Sequence, residues 1–305
     1  MEIYYQGKNI TDCVQVRSCR VRDTCGKRCD SLEIEFENAA DWFRWGPEED
    51  DQLRVALGGY DSGTMYVNTV LPEAGRYRIA ATALPCRARR KAWQSFIGKT
   101  VEEILRSCAM SCGMGYQIFG MDGSAVIPYI QQEAESPAAF LFRLLRLEGA
   151  TLKCVNGKMT AIGISYSQER AAHQTMEITS RDRAAEYRRS GTAVRALTVR
   201  TPYAEARAED EAVPSSHIQI VTSDYPALNA VQAGRWARGL LLCLNRSCES
   251  VTLPGGFNAG LTAMTRIDVT GDTDATGRWL IEEAEHDLIR KTSRARLHRC
   301  ITTIR

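Results

Sequence analysis

Leu32, Ile34 and Phe36 alternate with Glu33, Glu35 and Glu37, the period-two pattern of a strand with one buried and one wet face. Leu53, Val55 and Leu57 repeat it and stop at Gly58-Gly59, and residues 1–5, 65–70 and 77–83 read as further strands, the last two joined by a turn at 72–75. Short strands at this spacing predict a barrel or sandwich over residues 1–95. The pattern changes at residue 96. Thr100 and Glu103 have the spacing of a capping box, and Ile104, Leu105, Cys108 and Cys112 form the apolar stripe of a helix that stops at Gly113. Residues 116–119 and 125–129 read as strands either side of a Met-Asp-Gly turn. Ser136 suits an N-cap and Pro137 the first turn of a second helix. Phe140, Leu141, Leu144 and Leu145 share one face of it, Arg143 and Arg146 turn away, and Gly149 suits a left-handed cap. Asn156-Gly157, between strands at 151–155 and 158–164, is a strong hairpin signal.

Residues 166–305 return to β, with strands expected at 176–179, 193–200, 217–221, 251–253, 264–269, 278–287 and 293–304. A long helix over 224–246 carries Ala233, Ala237, Leu240, Leu241 and Leu244 on one face, and 201–215, rich in Glu and Asp, reads as a polar loop. The fold class that follows is mainly β with an α/β insert (α+β): residues 1–95, an α/β insert at 96–165, and residues 166–305.

The 305 residues suit about two domains, and 44% hydrophobic with 25% charged residues is ordinary for a soluble globular chain. A net charge of +2 argues against a dedicated nucleic-acid binder. Residues 87–91 and 290–299 are basic and 205–211 acidic, which is either solvated surface or complementary contact patches in an assembly. No apolar run approaches the ~18 residues of a membrane span, and residues 1–5 do not resemble a secretory signal, so folding in the cytosol is expected. Eleven cysteines there are expected as free thiols. Cys13, Cys19, Cys25 and Cys29 are the only cluster with metal-site character, since Gly26 in Cys25-Gly-Lys-Arg-Cys29 suits a knuckle. Cys13 and Cys19 read as strand residues and Cys25 and Cys29 as loop residues, and the spacing matches no recognised pair of knuckles. No metal and no cofactor is expected.

The phosphate-loop, dinucleotide, nucleophile-elbow and zincin motifs are all absent. His173, His217 and His298 have no partner motif. Glu283-x-x-His286 copies a di-iron ligand spacing that works on a helix, but its context is a strand, which points the two side chains to opposite faces. Glu102, Glu103 and Glu135 are carboxylates a glycoside hydrolase would need in pairs, and capping and exposure account for them. Residues 41–51, with Trp42, Phe43 and Trp45, read as a packed loop or an aromatic carbohydrate platform. Arg87, Arg89, Arg90 and Lys91 beside Trp93 suit a charged strand end or contact with an acidic partner. No enzymatic activity is expected.

Four stretches, in this order, resemble the tail hub of contractile-tailed phages, the family named after phage late control protein D, shared by phage-derived bacteriocins and by the hub half of type VI secretion spike proteins. They are 63–83 with the basic 87–93; the helix at 100–115; 135–153 with its Phe-Leu, Arg-Leu, Glu-Gly and Leu-Lys pairs; and 253–260 with Gly277–Ile281, Glu285 and His286. The resemblance implies a homotrimer in which each chain gives two tube-like β-barrel domains, so that six barrels match a hexameric tail tube and the other face accepts a trimeric spike. It implies a place in the tail baseplate of a virion or phage-like particle, made in the host cytoplasm. The implied partners are tube, spike, wedge and tape-measure proteins, with no membrane and no sequence-specific nucleic acid. A tail-associated cell-wall hydrolase and the tail-tip protein of a flexible-tailed phage are the alternatives.

Overall fold

The computed structural model describes residues 1–37, 46–73, 76–179, 185–214, 218–221 and 226–305. Trp42, Phe43 and Trp45, His217, and residues 224–225 of the expected helix lie outside them, as does half of the turn expected at 72–75. The architecture is mainly β, a curled half-barrel sheet with a few helices. Its alternating strands behave as patterned: Leu32, Ile34 and Phe36 of Ser31–Phe36 are fully buried while Glu33 faces water.

Among the described residues, one 14-stranded sheet joins the two ends of the chain. Its path runs from Glu186–Arg189 through Glu249–Gly256, Thr292–Arg299 and Gly277–Asp287 to Val16–Thr24. It continues through Ser31–Phe36, Arg76–Thr82, Met65–Glu73, Gln52–Leu57 and Glu2–Tyr5 to Lys8–Asn9. The 11-residue strand Gly277–Asp287 is the joint. One edge pairs along its length with Thr292–Arg299. The other edge is divided: residues 277–280 pair with Arg266–Gly271, and residues 283–287 pair with Val16–Thr24. A register shift between Ile281 and Glu283 marks the division, as expected where a strand must bend away from one partner toward another.

Between the ends, Gly115–Phe119, Lys158–Gly163 and Ala150–Val155 form a small sheet, and Ala92–Thr100 pairs with Val126–Glu135. The strands either side of the Met-Asp-Gly turn thus pair with other partners and not with each other. The carbonyls of that turn have another use: Val101 N–H donates to Ala125 O (3.0 Å) and Glu102 N–H to Gly123 O (2.9 Å), satisfying the start of helix α1, Val101–Ser111. The capping box of Thr100 and Glu103 is present in both directions. The strand Ala92–Thr100 runs through the 95/96 point at which the pattern changes. Helix α2, Pro137–Leu147, has the Ser136 cap and buries Phe140, Leu141, Leu144 and Leu145 completely. The hairpin at Asn156-Gly157 has both residues at positive φ, 48° and 68°. A third, short helix, α3 at Ile164–Glu169, was not signalled by periodicity.

Two expectations for the last part are corrected. The polar stretch 201–215 contains the strand Glu205–Glu209, paired with Ala196–Arg200, itself paired in parallel with Ile218–Val221. Its inward positions are only Ala206 and Ala208, and Glu205 is held by Arg200, so a real strand has the composition of a loop. The long helix α4 is Ala230–Arg246, not 224–246: residues 226–229 are not helical, and Asn229 caps it by accepting from Gln232 N–H (2.9 Å). Helix α4 crosses the end of α2 where Gly239 meets the backbone of Leu147 and Gly149.

Candidate functional site

A buried polar cluster lies where residues 150–155 meet the sheet joint. Lys153 sits in Ala150–Val155, Asp23 in Val16–Thr24, and Asp30 just before Ser31–Phe36. Lys153 Nζ donates to Asp23 Oδ1 (2.7 Å), to both carboxylate oxygens of Asp30 (2.6 Å) and to Thr24 O (3.0 Å). The carboxylates have further donors: Ala263 N–H on Asp23 (2.9 Å) and Thr24 N–H on Asp30 (2.8 Å). Burial works against the Lys153 ammonium, but the two carboxylates more than offset it and raise its pKa. Burial pushes the Asp30 carboxyl up, and Lys153 pulls it back. Two regions far apart in sequence, residues 23–30 and the strand of Lys153, are thus held by one cation with its hydrogen-bonding capacity filled.

Beside it, Arg246 at the end of α4 pairs with Glu282 at the division of the joint strand, and Cys25 N–H donates to Glu282 O (3.3 Å). His286, fully buried, has Ser293 Oγ on Nδ1 (2.9 Å) and Leu261 O on Nε2 (3.0 Å). Burial lowers its pKa. Glu283, on the opposite face, pairs with Arg22 and Arg296, so Glu283 and His286 do not converge. Burial lowers His298 to about 4, and its Nδ1 has no hydrogen-bond partner among the described residues.

The cysteine cluster is dispersed. Cys13 lies exposed in the 3-10 turn Thr11–Cys13, not on a strand as expected, because Thr11 and Asn9 bond locally there. Cys19 is buried in Val16–Thr24, Cys25 is buried just after it, and Cys29 is partly exposed. Among the described residues no three His, Cys, Asp or Glu side chains are grouped to hold a metal. Burial pushes the thiols of Cys19, Cys25 and Cys108 up to about 12 and that of Cys300 to about 11, which keeps them protonated and poorly nucleophilic. Glu103 serves the α1 cap and Lys99, Glu102 accepts from Tyr116, and Glu135 pairs with Arg143. In the basic run, Arg87 lies over Gly113, Arg89 donates to Thr82 Oγ1 (2.5 Å), and Trp93 is exposed. No helix among the described residues is long and apolar enough to cross a membrane. Lys153 was visible in sequence only as one charge within an apolar strand, and Asp23 and Asp30 carried no signal.

By sequence the chain matches no family model and no curated protein. By structure it is similar to a tail protein from Neisseria meningitidis (TM-score 0.74, 11% identity, 97% of this chain and 95% of that one). It is also similar to the 43 kDa tail protein of prophage MuSo2 from Shewanella oneidensis (TM-score 0.73, 14% identity, 98% of each chain). The fold is that of phage tail proteins. The tail-protein fold extends to an E. coli component of the type VI secretion system described as similar to T4 tail proteins (TM-score 0.62, 14% identity, 99% of this chain and 77% of that one).

Proposed function

We propose that the chain is a structural tail protein without enzymatic activity: the hub of a contractile phage tail or phage-like injection particle, acting as a homotrimer. In this reading each chain lends two wall segments, residues 1–95 and 166–305, so that three chains seat on a six-fold tube and present a three-fold face to a spike. The insert, residues 96–165, faces wedge proteins, and the tape-measure protein meets the same ring. The observation that carries it is the tail-protein fold spanning 97–98% of this chain and 95–98% of two such proteins. The polar centre of the molecule supports it, since Lys153, Asp23, Asp30, Arg246 and Glu282 are all engaged in holding segments together. Light scattering on the purified chain, alone and mixed with its trimeric spike protein, tests it. A three-chain particle is expected at least in the mixture, and a stable monomer in both samples overturns the hub reading. Release of dye-labelled peptidoglycan fragments by the purified chain would favour the hydrolase instead.

A further inference from the structure

The loop from Cys25 to Cys29 makes a turn that carries charge. Gly26, at φ +91°, donates to Leu152 O (2.9 Å) and lies against the Phe142 ring, which fixes the loop on the insert. Lys27 and Arg28 then project outward, exposed and with no ion pair among the described residues. Arg89 approaches from the turn Cys86–Arg89 and has the Thr82 hydroxyl but no carboxylate among the described residues. Together with the first turn of α2 these cations rim a cavity of about 510 Å³. Leu84, Phe142, Leu152 and Cys154 give it apolar lining, and among the described residues no Asp or Glu lines it. A fourth lining cation, Arg22, is already held by Glu283 and Glu285 at 3.2 Å each.

We propose that this cavity docks an acidic segment of a partner protein, its carboxylates meeting Lys27, Arg28 and Arg89 and one apolar side chain entering between them. Cations around an apolar hollow supply both halves of such recognition: charge steers and orients, and the buried side chain anchors. A nucleic acid would ask for a track of cations spaced along successive phosphates, whereas these three surround one hollow. The inference deepens the hub reading only in making the partner another tail component; the chemistry of the cavity stands apart from it.

The test uses the whole chain and a fluorescein-labelled peptide, Asp-Glu-Leu-Glu-Asp-Phe, with the amide version Asn-Gln-Leu-Gln-Asn-Phe as control. Saturable binding of the acidic peptide below about 1 mM is expected, weakening with salt and protecting Cys29 from alkylation. Arg28→Glu and Arg89→Glu should each weaken it at least about tenfold, while Arg188→Glu, an equal charge change on the exposed Glu186–Arg189 strand, stays within about twofold. All three side chains are exposed, and matching thermal melts verify folding. Equal binding of the amide peptide, indifference to Arg28→Glu and Arg89→Glu, or no binding of the acidic peptide overturns the proposal. So does a DNA duplex that displaces the peptide and loses binding in the same variants. A monomer by light scattering that still binds the acidic peptide would remove the hub and leave the cavity standing.

Discussion

Lys153 contacts acceptors 123 to 130 positions away in sequence and none on its own strand. An isolated buried ammonium is costly, and so are two facing carboxylates; together, with a backbone N–H also donating to each carboxylate, the three become tolerable. Removing one partner should therefore cost far more than the trio contributes as a unit. Lys153→Met is expected to destabilise by about 3–5 kcal/mol, read from urea unfolding, and Lys153→Met with Asp30→Asn should recover part of that loss. A change under about 1 kcal/mol in the single variant would mean that the trio is solvated. Such a cluster is illegible in sequence because Lys153 lies far along the chain from both carboxylates, and their proximity is a product of the fold. The capping residues were legible for the opposite reason: Thr100, Glu103 and Ser136 act on partners three residues away.

Among the elements, those whose apolar face is built from large side chains could be read directly, as in α1, α2 and the strands Ser31–Phe36 and Gln52–Leu57. Glu205–Glu209 could not, since its inward face is alanine alone. Pairing was harder still, because it is decided by which edges are free when the chain closes. Gly239 is the sharpest case. Inside a helix it reads as a weak position, yet a Cβ there would collide with Leu147 O and Gly149 N at the crossing of α4 and α2. Backbone cannot rotate aside as a side chain can. Gly239→Ala, favourable for an isolated helix, is expected to cost about 3 kcal/mol as the helices separate, measured by chemical unfolding; an unchanged or raised midpoint would show that the crossing has slack.

For the whole molecule, continuity of the sheet predicts that both flanks unfold together. Acid exposes this. His298, on Thr292–Arg299, is about 4 when folded against an ordinary 6.5, so the unfolded chain takes up the proton first. Its contribution is intact above pH 6.5 and is lost as pH falls through about 4, on the order of 3 kcal/mol, and His286 shifts the same way. Urea titrations from pH 7 to 4 should show a single transition by tryptophan fluorescence and far-UV circular dichroism, its midpoint falling across that window, with a shallower fall in His298→Gln. Two separate transitions would show that the flanks melt independently. The divided strand Gly277–Asp287 also carries a mechanical consequence. Tension between the amino-terminal strands and the carboxy-terminal ones crosses residues 283–287, whose ladder to Val16–Thr24 runs lengthwise. When the pull is along the strands, those rungs are loaded side by side in shear instead of being unzipped in turn, so the molecule is stiff where its two ends are stitched.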